Sequence, residues 1–447
     1  MSYDFVVSGG EGMKKFFKFE QYGANYQSEI IGGLTTFFAM AYIVIVNPAI
    51  LANAGIPRDA QVTATIVAAL VGTLMMAIYA RRPFGIAPYM GENAFIAYTV
   101  CLGMGFAWQK AMAAVLLGGV IFVIITALHI RRWMAESIPD SLKRSFAAGI
   151  GFFIMFIGLN DTGIIRLGVP GAPVKIGDLS AAGPLLAIAC VVLISVMMIR
   201  KIPAALLIGM LLTTLAAFAF GAAEPPKAIF SAPPSLSPIF FKFDLAGALS
   251  ADFISIVLVL FVLDFVDTIG TLIGVSARAG LLDEKGNLPD IEKPMMADAI
   301  ATVTGAIAGT STTGTYIESA AGTEAGARTG FASLVTAVMF ALCLFLAPLF
   351  VSVPSIAYGA ALIVVGFLML APIRDIRFDD YTELFPAAAT IALMSFTFNI
   401  GFGMTAGFVL YPLFKLVAGR GRELAAGVWV LFVISVLLFL FYPYGRA

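Results

Sequence analysis

The sequence predicts an all-α polytopic membrane protein of fourteen spans, arranged as two inverted sevens, and three observations carry that expectation. The first is composition: of 447 residues, 60% are hydrophobic and 12% charged, with a mean hydropathy of +0.97. A water-soluble chain of this length has nowhere to hide so much apolar surface. The second is that apolar runs recur from Ile30 to Phe441 at lengths near the ~20 residues that cross a bilayer core. The third is that two of these runs are too short to cross, follow helix-breaking segments, and hold the same place in each half.

Taken in order, spans are expected near residues 30 to 52, 62 to 80, 91 to 105, 110 to 130, 142 to 159, 184 to 200 and 203 to 222. A Pro-rich, partly amphipathic connection, Glu224 to Ser250, follows. Seven more are expected near 252 to 275, 295 to 309, 316 to 327, 330 to 351, 355 to 371, 383 to 398 and 401 to 418. At ~1.5 Å per residue the third and tenth need an extended lead-in to complete a crossing. Seven spans per half give the two halves opposite orientations, the plan of many secondary transporters. A further apolar run, Leu424 to Phe441, either spans or lies along the interface.

Loop charge sets the orientation. With the N-terminus in the cytoplasm, that side collects twenty Lys and Arg, among them Arg131, Arg132 and Lys285, and the other side six: Arg58, Lys110, Arg166, Lys175, Lys227 and Lys242. Arg446 is unassigned, because the run Leu424 to Phe441 before it either spans or lies along the interface. The bias satisfies the positive-inside rule and requires the two short segments to count as full crossings. The expectation is a multi-pass protein of the cell (inner) membrane, its first span acting as insertion signal, because Met1 to Glu29 is polar without a cleavable apolar core. With 27 basic and 27 acidic residues there is no electrostatic footprint for nucleic acid. Cys101, Cys190 and Cys343 lie singly in apolar runs, which argues against a disulfide framework or a metal cluster, and no cofactor is expected.

The chemistry gathers at the two breaks, Ala87 to Asn93 and the hydroxyl-rich Thr310 to Glu318. Non-helical backbone at membrane depth persists only where protein or a watery cavity satisfies its amides. Two half-helices starting there would point their N-termini at each other and offer partial positive charge and free amides to a ligand. Four carboxylates fall within apolar runs, Glu92, Asp264, Asp267 and Glu318, and each costs ~2.5 to 3.5 kcal/mol at a span centre. Asp264 and Asp267 share a helix face with Thr268 and Thr271. No buried cation is expected to answer them, since the one histidine, His129, abuts Arg131 and Arg132 at a span end. Asp252, Asp298 and Glu324 read instead as carboxylates at span ends, with Glu324 and Arg328 an ordinary helix pair. Gly32-Gly33 and Gly270-x-x-x-Gly274 read as close helix packing. Phe95 and Tyr316 flank the breaks and could stack on a planar ligand, with Thr315 and Thr268 beside them.

These stretches are also familiar as long motifs. Gly33 to Pro48, Ala87 to Val100, Asp264 to Thr271 and Gly309 to Gly322 resemble the adenine/guanine/hypoxanthine permeases, the AzgA-like branch of the nucleobase/ascorbate transporter superfamily, and the likeness runs in order along nearly the whole chain. The resemblance implies proton-coupled purine uptake and two domains. A core comprises residues 20 to 133 (spans one to four) and 251 to 352 (spans eight to eleven). A gate comprises 134 to 250 (spans five to seven) and 353 to 447 (spans twelve to fourteen and the C-terminal run). It places the substrate carboxylates on Asp264 and Glu318, an acidic partner on Asp267, and the third-span motif on Gly91, Asn93 and Phe95. Where that family commonly has Gly-Leu-Asn, this chain has Gly91-Glu92-Asn93. The partners implied are a purine nucleobase, protons, the lipid bilayer and, as an open option, a second copy in a homodimer.

A flat neutral purine carries N–H donors and ring-nitrogen acceptors, which carboxylates and free amides answer, while aromatic faces stack on it. The alternatives in the same fold are a carrier of another nucleobase such as uracil or xanthine, or of a small anion such as sulfate or bicarbonate. An anion site wants positive charge, which several carboxylates oppose. A channel would share the polar breaks without concentrating its substrate. A hydrolase using Ser311 or Ser319 lacks a neighbouring His or Lys base, so no enzyme is expected.

Overall fold

In apolar surroundings a chain satisfies its own amides most simply as helix, and among residues 11–128, 137–250, 253–284 and 288–441, which the computed structural model describes, helix dominates. The expectations attached to His129, Arg131, Arg132, Asp252, Lys285 and Arg446 lie outside the described residues. Nine helices there are long and apolar enough to cross a membrane: α1 (Tyr26–Ala52), α2 (Arg58–Ala80), α4 (Trp108–Ala127), α5 (Asp140–Asp161), α6 (Ala182–Ile199), α8 (Ile254–Arg278), α11 (Gly330–Val351), α12 (Ser355–Asp375) and α14 (Ile400–Val417). Shorter ones are α3 (Met90–Ala94, continuing in wide turns over Phe95–Gly103), α7 (Ala205–Ala219), α9 (Glu292–Ala308), α10 (Ser319–Glu324), α13 (Tyr381–Phe396) and α15 (Ala426–Phe441). Helices α1 to α4 pack mainly with one another and with α8 to α11, and α5 to α7 with α12 to α14.

The all-α expectation needs one correction, because four short strands are present. β2 (Ile165–Val169) and β3 (Ala172–Ile176) form an exposed hairpin between α5 and α6. β1 (Ile86–Pro88) and β4 (Thr313–Thr315) are buried, and pair antiparallel with Ala87 opposite Gly314. Each is a lead-in that local sequence keeps from being helix. Arg81 turns left-handed at φ 56° to end α2, and Pro88 holds the preceding residue extended. Gly309, at φ 95°, ends α9 against Ile239. With no water to take their amides, the two lead-ins satisfy each other. The pairing continues through Tyr89 N to Thr312 O and Tyr316 N to Gly85 O, both 3.0 Å. Amides expected to be free for a ligand are therefore partly used by the fold.

The connection 224–250 runs as a strap over one end of the bundle. Ser231 N donates to Phe345 O, Phe241 N to Ile307 O and Asp244 N to Gln109 O, each at 3.0 Å, and Thr63 Oγ1 donates to Pro234 O at 2.9 Å. It thereby holds α11, α9, α4 and α2.

Gly32 and Gly33 behave as expected. A Cβ on Gly32 would sit 2.6 Å from Ala327 Cβ, and one on Gly33 2.8 Å from Val335 Cβ, so α1 meets the α10–α11 region backbone to backbone. Gly270 and Gly274 do not: a Cβ on either meets nothing within 4 Å, so that face of α8 is open. The expected Glu324–Arg328 helix pair is also absent. α10 stops at Glu324, so four-residue helical spacing no longer applies; the Arg328 guanidinium caps Thr323 O and Ala327 O, while Glu324 pairs with Arg278 of α8 at 3.5 Å.

Two charged anchors carry no signal in the sequence pattern. Glu29 is fully buried, accepting from Arg328 N (2.8 Å), Thr329 Oγ1 (2.9 Å), Thr329 N (3.1 Å) and Ala332 N (3.1 Å) at the start of α11. A carboxylate suits a helix N-terminus by charge and by hydrogen bonding. Glu29→Ala should cost about 1 to 3 kcal/mol, and Glu29→Gln less. Thermal unfolding in detergent measures this, and an unchanged midpoint in both variants refutes the anchor. The second is Lys415 of α14, 1% exposed, which pairs with Glu383 (2.7 Å) and Glu423 (3.0 Å). A buried cation thus exists, contrary to expectation, and its charge is spent on these two acids. Nearby, Asp380 caps α13, its carboxyl held well below the usual range by the Thr382 hydroxyl and Arg420.

Candidate functional site

The β1–β4 crossing carries the polar centre. Asp264, mid-helix in α8, is 1% exposed; its Oδ2 lies 3.0 Å from Thr302 Oγ1 of α9 and its Oδ1 has no donor among the described residues. Thr302 Oγ1 also receives Thr313 N–H at 3.0 Å and stands 3.0 Å from Thr313 O. A hydroxyl has one proton, which cannot serve both Thr313 O and Asp264. Asp264 therefore needs a donor from elsewhere for full satisfaction.

Glu318, at the start of α10, accepts from Tyr42 Oη of α1 at 2.6 Å and is partly exposed. One turn past Asp264, Asp267 is partly exposed on the open α8 face that includes Gly270 and Gly274. That face runs toward the Arg278–Glu324 pair. Glu92 of α3 is fully buried and neither carboxyl oxygen has a hydrogen-bond donor among the described residues.

Other expected residues have structural partners. Thr315 gives its N–H (3.1 Å) and hydroxyl (2.9 Å) to Asp298. Asn93 Nδ2 donates to Asn47 Oδ1 at 2.8 Å, and its own Oδ1 has no donor among the described residues. Tyr316 donates to Pro88 O and lies parallel to Tyr89, ring centroids 6.2 Å apart. Thr268 stands 3.4 Å from Tyr89 Oη. Phe95, fully buried, borders a void of about 20 Å³ shared with Ser255, Val259, Asn399, Gly401 and Thr405, room for a water and not for a purine. The structure thus groups Asp264, Asp267, Glu92, Thr268 and Tyr316 around the crossing, sets Glu318 beside it on Tyr42, and turns Phe95 toward a closed seam between α3, α8 and α14.

Asp298 is the chief correction. Read as a carboxylate at a span end, it is fully buried and holds β4 by both Thr315 donors. Asn47, not singled out from its motif, is a hub: Nδ2 donates to Thr65 Oγ1 (2.7 Å) and Thr310 Oγ1 (2.8 Å) while Oδ1 takes Asn93. An amide-bearing residue before a proline inside Ile43-Val-Ile-Val-Asn-Pro48 was the available signal. Gln61 likewise donates to Gly309 O.

Comparison with known proteins places this geometry in context. The model of the family described as "Permease family" matches residues 27–439. The chain is 40% identical over 440 residues to the guanine/hypoxanthine permease PbuG of Bacillus subtilis, covering 96% of this chain and 100% of that one. It is 38% identical over 438 residues to the adenine permease AdeQ of Escherichia coli, covering 97% and 98%. Among solved structures, the transmembrane domain of a cyanobacterium bicarbonate transporter, BicA, superposes with a TM-score of 0.58 at 18% identity, over 92% of this chain and 97% of that one; the likeness is one of fold.

Proposed function

The chain belongs to the permease family, and on that premise we propose that it is a secondary active transporter taking up purine nucleobases of the adenine, guanine and hypoxanthine class together with protons, by alternating access. The observation that carries the substrate class is full-length similarity to permeases named for those bases. What supports the site is the buried Asp264, whose unmet Oδ1 suits a purine N–H or a proton. Glu318 stands beside the crossing on Tyr42, with Thr268 and Tyr316 at the crossing itself. Phe95, Asn93 and Thr315 act behind them, as parts of the scaffold that shapes the pocket.

The finer architecture belongs to the same reading: fourteen crossings in two inverted sevens, a core of 20 to 133 and 251 to 352, and a gate of 134 to 250 and 353 to 447. The packing of α1 to α4 with α8 to α11 supports that division for the helices, while the strap at 224–250 is bonded to core helices. The loop charge supports a cytoplasmic N-terminus in the cell membrane. In this orientation the open stripe Asp267, Gly270, Gly274 leads inward, and the small void at Phe95 is the closed outer side. The likeness to a bicarbonate transporter extends to fold alone, and an anion would face Asp264, Asp267 and Glu92. A homodimer remains compatible with this reading.

In vesicles with an imposed inward proton gradient, labelled hypoxanthine or adenine should accumulate, and a protonophore should abolish the accumulation. Uptake that survives the protonophore but fails without sodium refutes proton coupling; competition by sulfate rather than by purines refutes the substrate class.

A further inference from the structure

Glu92 is a fully buried carboxyl group, and neither of its oxygens meets a donor among the described residues. The titratable groups close enough to act on it electrostatically are Asp264 and Asp267 of α8, against which α3 packs, and the Tyr316 hydroxyl that follows β4. From the other elements packed on α3 come Asn47 of α1, already bound to Asn93, and Ile150 of α5, which lies against Gly91. No cation is among them. Asp267 lies within hydrogen-bonding reach of Glu92. Two ionised carboxylates present only acceptors to each other, and such a contact becomes favourable only when one proton is shared between them.

The two acids differ in access. Asp267 is partly exposed, on the α8 face where Gly270 and Gly274 leave open space, whereas Glu92 is sealed. We propose that Glu92 and Asp267 form a proton-holding pair separate from Asp264, loaded and unloaded through Asp267 and storing its proton between the two carboxyl groups. The step is a transfer of H⁺ from a hydronium ion at the open face of α8 to an Asp267 oxygen, leaving water, followed by sharing with Glu92 Oε; release reverses it. This rests on the transport reading above and adds to it a second coupled proton.

The test is the proton:purine ratio, measured from the membrane potential and pH gradient that just balance a hypoxanthine gradient in vesicles containing wild-type protein or Glu92→Leu. The expected result is a ratio lower by one in Glu92→Leu. An unchanged ratio in a transporting Glu92→Leu protein overturns the pair, and purine movement by the wild type without protons overturns the coupling of the parent reading as well. A ratio that follows sodium instead of pH gives the site to a metal cation and overturns the proposal. Should the leucine variant not fold, Glu92→Gln keeps the volume without the titrating group. In infrared difference spectra of the purified protein between acidic and alkaline media, a protonated-carboxyl band is expected in the wild type and is expected to be lost in both Glu92→Gln and Asp267→Asn; its persistence in both overturns the pair.

Discussion

Replacing Glu318 by Gln or Asp264 by Asn lowers hypoxanthine or guanine affinity ten- to a hundredfold, the expected result if the two hold the base from opposite sides of the β1–β4 crossing. Each change removes about 1.5 to 3 kcal/mol of charge-assisted hydrogen bonding while preserving side-chain size. The scaffold tolerates both. In Glu318→Gln the amide oxygen can still accept the Tyr42 hydroxyl, whose present bond is 2.6 Å, and in Asp264→Asn the new amide can turn toward Thr302. Asp267→Asn should depress transport with a smaller effect on binding. Equilibrium binding to the purified variants decides the matter, and wild-type affinity in both the Glu318 and the Asp264 variants moves the site elsewhere.

The largest loss of stability is expected at Asp298. Removing its carboxylate in Asp298→Ala leaves the Thr315 N–H and hydroxyl without an acceptor in a place water does not reach. Two stranded donors plus the missing volume should cost about 2 to 5 kcal/mol. Asp298→Asn keeps one acceptor and should cost less than Asp298→Ala. Because Thr315 opposes Ile86, β1 should loosen with β4. The unfolding midpoint in detergent reads the cost, and a wild-type midpoint for Asp298→Ala would mean that β4 is held by other means.

How far the sequence spoke can be judged at these residues. The breaks at Ala87 and Thr310 were legible because polar, helix-averse residues interrupt long apolar runs, and the buried positions of Glu92 and Asp264 followed from the same contrast. Asp298 was not, because distance from the start of a helix does not measure depth in the fold. α9 starts at Glu292, and β4 folds back over the following turns, so the residue near an expected end is enclosed. Glu324 and Arg328 have the spacing of a helix pair, but the helix ends between them. Gly270 and Gly274 carry the same small-residue spacing as a packed interface; only what stands opposite distinguishes contact from open space, and nothing in the local sequence encodes that. Strand pairing between lead-ins more than two hundred residues apart was hidden for the same reason, although the need of both segments for partners was visible.

The strap also sets a mechanical limit. Its backbone bonds to α4, α9 and α11, with Thr63 of α2 on Pro234, tie it to the group of helices packed around the candidate site. Its only covalent continuation on the other side is α7, across a stretch from Gly221, at φ 68°, to Phe230. If the site-bearing helices slide past α7, those bonds carry the strap along, and the slack must come from this leash of about ten residues. Fully drawn out, it reaches about 35 Å. The excursion of the sliding half is then bounded at that end by a length of chain, and shortening the leash by a few residues would narrow the stroke while leaving the pocket unchanged.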